Sequence, residues 1–166
     1  MYRVAILTVS DRCAAGVRED TSGPLLQNMM EQNGYLVTHM EILPDERALL
    51  SDAMRKICDI GSADLILTTG GTGLSPRDWT PEATLDIAER QVPGLSEAMR
   101  AFANTITPNG MLSRGASVIR KQTLILNLPG SANGAIENLS CILPALEHGL
   151  ATLTGTVKDC TRKDGI

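Results

Sequence analysis

Aromatic residues are scarce in this chain of 166 residues and make up only 2% of it. So few rings provide no platform of the kind on which single-stranded nucleic acids stack. Basic residues are not in excess either, because 15 Lys and Arg stand against 19 Asp and Glu, for a formal net charge of -4. Without a basic footprint for a phosphate backbone, we expect no nucleic-acid partner.

The four cysteines show no C-x-x-C spacing, and neither His39 nor His148 lies at ligand spacing from another His or Cys. This pattern excludes the usual zinc, dithiol and disulfide motifs and favours free thiols, which suit a reducing cytosol. No apolar run approaches the roughly 18 residues that a membrane span needs, and no signal-peptide pattern precedes the first strand-like segment. We therefore expect a cytoplasmic protein with no membrane partner.

Short apolar segments rich in β-branched residues alternate with segments whose apolar residues recur three and four apart. The first kind predicts strands at 3–9, 35–42, 64–68 and 122–127, and the second predicts helices around 25–30, 49–60 and 142–153. Segment 82–103 predicts one or two helices interrupted at Pro93-Gly94, and 105–121 predicts a loop with one short strand. This alternation predicts an α/β fold, a single-domain three-layer sandwich with a mostly parallel sheet and helices on both faces.

The predicted strands should deliver polar residues to one edge of the sheet. In an open parallel sheet, ligands bind in the crevice outside the carboxyl ends of the strands. These ends lead into Ser10-Asp11, Pro44-Asp45-Glu46, a glycine-rich loop at 68–80, and 127–131. Hydroxyls, carboxylates, an amide and flexible backbone are therefore expected to meet at one rim, which is the predicted ligand site.

The loop at 68–80 is the most informative of these strand exits. Glycine permits positive φ and a close backbone approach, so the N–H groups of this loop are candidates for binding phosphate oxygens. The residues concerned are Thr69, Gly70, Gly71, Thr72 and Gly73. The alternative is a tight strand exit followed by a plain surface loop. Neither the G-x-x-x-x-G-K-[ST] nor the G-x-G-x-x-G motif is present, so kinase and dehydrogenase functions lack support.

Asp78 and Asp45 are the candidate carboxylates. Thr80 suits a helix N-cap and Pro81 the first helical position, which leaves Asp78 free either for a ligand or for a loop-stabilising Asx turn. Asp45 follows Pro44 directly before a helical segment, so it either caps that helix or serves the site. Two carboxylates beside a phosphate-binding loop would suit Mg²⁺ bound together with a triphosphate.

Of four further positions, three each have two interpretations. Arg77 either binds a phosphate or pairs with a neighbouring acid. Ser131 and Asn127 either contact ligand or cap the helix that follows the last strand. Ser113, which precedes Arg114, is most simply a turn residue by its local sequence.

Five segments together resemble the molybdopterin adenylyltransferase family of molybdenum cofactor biosynthesis. They are 69–73, 76–84, 43–46, 111–114 and 126–130. The resemblance extends over residues 1–155 and leaves 156–166 as a C-terminal tail. It implies a compact α/β fold, usually a homotrimer, which binds ATP with Mg²⁺, transfers AMP to the terminal phosphate of molybdopterin and releases pyrophosphate.

Carried over position by position, the resemblance makes Asp45 and Asp78 the two essential aspartates and the candidate Mg²⁺ ligands. It assigns nucleotide-phosphate binding to the glycine loop and pterin contacts to Ser113 and Asn127. Further candidates at the same edge are Pro129, Gly130 and Ser131.

Two positions depart from the family pattern. Ala132 stands where a proline often follows, and Trp79 stands where a small aliphatic residue is more usual. Close paralogues leave a non-catalytic molybdopterin-binding protein as one alternative. A nucleotide pyrophosphatase related to competence-damage proteins is another, although the Pro76-Arg77-Asp78 spacing argues against it. Whether molybdate insertion involves a separate partner stays open.

Overall fold

Six strands form one mixed sheet in the computed structural model, which describes residues 1–156. The strands are β1 (Arg3–Val9), β2 (Leu36–Leu43), β3 (Leu65–Thr69), β4 (Arg90–Gln91), β5 (Ser117–Arg120) and β6 (Thr123–Leu128). Their spatial order is β2-β1-β3-β6-β5-β4. The strands β2, β1, β3 and β6 are parallel, and β5 and β4 continue the sheet antiparallel. The predicted mostly parallel sheet is confirmed.

Six α-helices and one 3₁₀ helix accompany these strands within residues 1–156. They are α1 (Asp11–Ala14), α2 (Ser22–Gln32), α3 (Arg47–Ile60), α4 (Thr80–Leu85), α5 (Pro93–Ile106), α6 (Ala132–Leu153) and the 3₁₀ helix Pro108–Leu112. The periodic apolar positions predicted α2, α3 and the second half of α6. The short α1 carries too few residues for such a pattern and was not predicted.

The segment 82–103 contains two helices, α4 and α5, within the predicted one or two. They are separated by the two-residue strand β4, which was not predicted, and Pro93 begins α5 instead of interrupting a helix. Proline suits this place because the first turn of a helix has no intrahelical partner for the missing N–H. The short strand expected within 105–121 is present as β5.

The core lies on both faces of the sheet, as a three-layer sandwich requires. One apolar cluster joins the sheet to α2, α5 and α6, and the other joins it to α3 and α4. The central strands β3 and β6 are buried at every position. This burial explains why their sequences are mostly apolar and do not alternate with polar residues, because both faces of these strands are covered.

Four parallel strands therefore deliver their carboxyl ends to one edge. Within the described residues, no helix is both long and apolar enough to cross a bilayer. Of the predicted tail 156–166, all but Thr156 lies outside the described residues.

Candidate active site

The glycine loop leaves β3 through a space that admits no side chain. Gly70 has φ of 107°, and a Cβ there would lie 2.1 Å from the carbonyl oxygen of Val9. Gly71 has φ of 63°, and its Cβ would lie 2.4 Å from both the Asp45 Oδ1 and the Thr80 Oγ1. Positive φ and close approach are what glycine uniquely allows, so both glycines are required by the backbone path.

The ends of β3 and β6 pack directly against each other. A Cβ on Gly130 would lie 3.1 Å from the Gly70 Cα. The Thr69 hydroxyl donates to the carbonyl of Pro129 at 2.7 Å. The predicted loop residues and the predicted 129–131 segment thus form one continuous wall.

Arg114 holds the outer half of the loop. Its Nε donates to the Gly73 carbonyl at 2.6 Å, and its Nη2 donates to the Asp78 carbonyl at 2.7 Å. Its Nη1 pairs with the Glu82 carboxylate, and its backbone N–H donates to the Thr72 carbonyl at 2.9 Å. This role of Arg114 was not predicted from the sequence. The one sequence feature that pointed to Arg114 was its place beside Ser113 in the segment 111–114, which resembles the family.

Thr80 does not cap α4 as predicted. Its hydroxyl donates to the Gly70 carbonyl at 2.9 Å, and Trp79 occupies the cap position without a side-chain hydrogen bond. Asp78 stabilises the loop, but not through the Asx turn expected as its alternative, because its Oδ2 accepts from the N–H of Ser75, three residues earlier, at 3.0 Å. One carboxylate oxygen of Asp78 therefore stabilises the loop.

Asp45 is buried at the end of β2, with 9% of its surface exposed. Within residues 1–156, its Oδ1 is one of two buried side-chain oxygens without a hydrogen-bond partner. Burial raises the pKa of Asp45 to about 6, helped by the negative charges of Asp11 and Asp78 and opposed by Arg77. An unpartnered carboxylate oxygen in such a place is available to a cation or a proton donor.

Two cavities meet at the glycine loop. One, of about 380 Å³, is lined by the loop at 71–73, Asp78 and Ser113, with α5 and the 3₁₀ helix as its far wall. The other, of about 330 Å³, is lined by the end of β1, Asp20 and Asp45. They share Gly71, Gly130 and Ser131. The two aspartates therefore face different compartments of one divided site.

A larger cavity of about 600 Å³ lies at the opposite edge of the sheet, beside Tyr2, Tyr35 and Glu147. It has neither the glycine loop nor the pair of aspartates that faces the divided site. The candidate active site is therefore not the largest of these three cavities.

The structure does not bring the side chain of Asn127 into either cavity. The residue is buried, and its Oδ1 accepts from the Ala116 N–H at 3.0 Å. Its Nδ2 donates to the hydroxyls of Thr68 and Thr84 at 3.0 and 2.9 Å. All the hydrogen-bonding groups of the amide are engaged, which places Asn127 beneath the site as a support for its floor.

Both serines line the divided site, and each also makes a local hydrogen bond. Ser131 lines both cavities, and its hydroxyl caps α6 by accepting from the Gly134 N–H at 3.2 Å. Ser113 lines the larger of the two cavities, and its Oγ accepts from the Gly115 N–H at 3.3 Å. A local turn or cap and exposure to ligand are compatible at both positions.

Asp20 is a polar site residue that sequence analysis did not select. Its Oδ1 accepts from the N–H groups of Ser22 and Gly23, both at 3.0 Å, at the start of α2. Its Oδ2 accepts from the Thr8 hydroxyl at 2.7 Å. The sequence feature that could have identified Asp20 is its place directly before Thr-Ser-Gly-Pro at 21–24, a pattern typical of the start of a helix.

The sequence profile of the family described as "Probable molybdopterin binding domain" matches residues 5–148. The chain belongs to this family. It is 37% identical over 165 residues to the molybdopterin adenylyltransferase of Helicobacter pylori J99, covering 97% of this chain and 93% of that protein. The molybdopterin adenylyltransferase of Escherichia coli K12 is 40% identical over 156 residues, with 89% of this chain and 79% of that protein covered.

The fold agrees with solved structures of molybdopterin biosynthesis proteins. The molybdopterin biosynthesis enzyme MoaB of Thermus thermophilus matches with a TM-score of 0.89 and 47% identity, over 93% of this chain and 98% of that one. The family resemblance and the fold class predicted from the motifs are both confirmed.

Replacing Asp45 with Asn is expected to stabilise this molybdopterin-binding domain near neutral pH but not in acid. The folded pKa of about 6 lies above the ordinary 3.8, so the folded state holds the carboxyl proton more tightly than the unfolded state. Ionisation therefore costs stability as the pH rises through about 6, and the cost is absent below about 4. The rise of the Asp45 pKa from 3.8 to about 6 corresponds to a loss of at most about 3 kcal/mol in the free energy of unfolding. Because water in the cavity screens the charge, the expected loss is about 1–2 kcal/mol.

The measurement is thermal unfolding of both proteins without ligand and with EDTA, between about pH 4 and pH 8. Asp52→Asn, on the exposed face of α3, is the matched control for removing a carboxylate. A melting-temperature difference between Asp45→Asn and the unmodified protein that does not change with pH would contradict this interpretation.

Proposed function

We propose that this chain transfers AMP from Mg-ATP to the terminal phosphate of molybdopterin and releases pyrophosphate. The observation that carries the proposal is the divided site, in which two cavities meet at Gly71 and each receives one aspartate. A transferase that joins two phosphate-bearing molecules needs two compartments with a common phosphate-binding boundary. The curated relatives named molybdopterin adenylyltransferase support the same activity.

The larger of the two cavities suits the pterin. Its walls combine apolar side chains, such as Ala103 and Leu112, with the polar groups of Ser113, Asn109 and Asn138. A flat heterocycle with several hydrogen-bonding edges needs this mixture, because apolar walls favour burial and a few polar groups fix orientation. We therefore place the pterin against α5 and the 3₁₀ helix, with its phosphate directed toward Gly71–Gly73.

The smaller cavity suits the nucleotide. Its lining residues include Thr8, Ser10, Thr21 and Arg18. Its boundary with the first cavity is the glycine loop, whose backbone is suited to bind phosphate oxygens. This arrangement would bring the α-phosphorus of ATP to the junction of the two compartments.

The residues present fit a magnesium ion bound together with ATP. The Oδ1 of Asp45 is buried without a protein partner, and Asp78 has one carboxylate oxygen engaged by the Ser75 N–H. Among residues 1–156, no group of three or more His, Cys, Asp or Glu side chains is placed to hold a metal by itself. Mg²⁺ commonly takes one or two carboxylates plus phosphate oxygens, and when bound it would neutralise charge on the triphosphate.

The transfer step needs little help from a general base. The molybdopterin phosphate is already anionic near neutral pH, so one of its oxygens attacks the α-phosphorus while the bond to the pyrophosphate oxygen breaks. The electron pair of that bond leaves with pyrophosphate, and a new phosphoanhydride bond remains. The loop N–H groups would position the phosphate oxygens and stabilise their negative charge, and Asp45 and Asp78 would contribute by holding the magnesium ion.

The decisive experiment measures pyrophosphate release from Mg-ATP with and without molybdopterin. We expect release only with molybdopterin, accompanied by adenylyl-molybdopterin in the mass spectrum. Release that does not require molybdopterin would indicate a pyrophosphatase and overturn the proposal. Tight molybdopterin binding without release would indicate a binding-only paralogue and overturn it equally.

A homotrimeric assembly and a cytoplasmic location complete the proposal. The edge strand β2 exposes Leu36, Met40 and Ile42, and contact with a second copy would cover these apolar side chains. Free Cys13, Cys58 and Cys141 support a reducing compartment. Sedimentation velocity would test the assembly, with a mass three times that of the chain as the expected result.

A further inference from the structure

Asp78 lies between two side chains that reach out to other elements. On one side, the Arg77 Nε and Nη2 donate to the Asp11 Oδ2 and Oδ1 at 3.0 and 2.8 Å. The same Asp11 Oδ1 accepts from the backbone N–H of Asp45 at 3.0 Å. The Asp11 carboxylate thus links the loop at 74–79 to the end of β2, where it binds the backbone of Asp45, the other aspartate of the candidate site.

On the other side, Trp79 lies beneath the guanidinium of Arg47, with the Arg47 Cζ 5.7 Å from the ring centroid. Arg47 is held in place by two hydrogen bonds to the Asp86 carboxylate, at 2.7 and 2.6 Å. It begins α3, two residues after Asp45. This second contact therefore also joins a neighbour of Asp78 to a neighbour of Asp45.

We infer that Arg77 and Trp79 are positioning residues that hold Asp78 in place relative to Asp45 for the proposed transfer. Neither of them, nor Asp11 or Arg47, is among the described residues that line the two cavities. They act through the two aspartates and do not touch the substrates. The inference rests on the proposed function for its catalytic consequence, while the structural coupling itself can be tested separately.

The physical reason is that the outer loop has little packing of its own. Leu74 at its tip is 66% exposed, and the Arg77 side chain is 57% exposed. Exposed ion pairs contribute little to stability. A displacement of about 1 Å at a reacting group, in contrast, can cost about 100-fold in rate. Loss of these contacts should therefore change geometry much more than folding.

The first test uses Trp79 itself, which is the only tryptophan of the chain. Time-resolved fluorescence anisotropy reports the nanosecond mobility of its ring in the ligand-free protein. We expect Arg77→Gln to increase this mobility, because the opposite side of the same loop is released. Arg55→Gln, which removes an exposed ion pair within α3, should leave it unchanged. Equal anisotropy decays in Arg77→Gln and the unmodified protein would overturn the inference.

The second test separates binding from turnover. We expect Arg77→Gln and Trp79→Ala each to lower kcat about 10- to 100-fold, with KM for molybdopterin nearly unchanged. Affinity for a non-hydrolysable ATP analogue, measured by calorimetry, should fall in Mg²⁺ and stay the same in EDTA. Trp79→Phe keeps an aromatic face for Arg47 and should restore most of the loss.

Unchanged kcat in both Arg77→Gln and Trp79→Ala would overturn the positioning role, as would a Trp79→Phe variant as impaired as Trp79→Ala. If the unmodified protein shows no AMP transfer, the proposed function fails. In that case the anisotropy and the Mg²⁺-dependent analogue binding still decide whether the two contacts fix Asp78.

Discussion

Asp78→Asn should lower AMP transfer at least about 100-fold while leaving molybdopterin affinity nearly intact. The substitution removes the negative charge and keeps an oxygen that can accept from the Ser75 N–H, which Asp78 now does at 3.0 Å. The turn, and with it the backbone contact to Arg114, should therefore persist. The variant loses the negatively charged carboxylate that, together with that of Asp45, is expected to act where the two cavities meet.

The measurement is single-turnover AMP transfer together with molybdopterin binding and thermal unfolding for the same variant. Asp52→Asn is the control for an exposed carboxylate far from the loop, and it should transfer AMP at the normal rate. If Asp78→Asn retains normal transfer, Asp78 is not part of the catalytic machinery. If molybdopterin binding falls in proportion to transfer, its role is in binding alone.

Gly70→Ala should destabilise the protein by about 3–5 kcal/mol, which for a chain of this size lowers Tm by about 6–20 °C. The methyl group would lie 2.1 Å from the Val9 carbonyl oxygen, at a residue with φ of 107°. The clash can be relieved only by separating β3 from its neighbour β1 or by pushing Gly70 against Gly130 at the end of β6.

Gly61→Ala is the matched control for a methyl added at positive φ. Gly61 ends α3 with φ of 69°, and a Cβ there would meet no atom within 4 Å. Its cost should be limited to the left-handed conformation itself, about 1–2 kcal/mol. Denaturant unfolding of both variants checks the comparison. Equal destabilisation would show that backbone conformation, and not the close approach to Val9, makes Gly70 necessary.

The motifs predicted much of the site because adjacent residues carry most of its glycine loop. Thr69–Gly73 and Asp78 lie within ten positions of one another, and parallel strands bring Asp45 and Ser131 to the same edge by topology alone. The roles of Thr80 and Arg114 were not predictable in the same way. Thr80 was predicted to cap a helix, but its hydroxyl donates instead to the carbonyl of Gly70, ten residues earlier.

The amino-acid sequence by itself determined the α/β layering, the parallel part of the sheet and the rim at its strand ends. These features follow from apolar periodicity, glycine and proline positions, and chain order, all of which are local. The tertiary structure alone decided that the site is divided, that Asn127 supports its floor, and that Arg77 pairs with Asp11. These features depend on which hydrogen-bond donors and acceptors, far apart in the sequence, become partners. The packing of the folded chain decides this, because only packing brings those groups together.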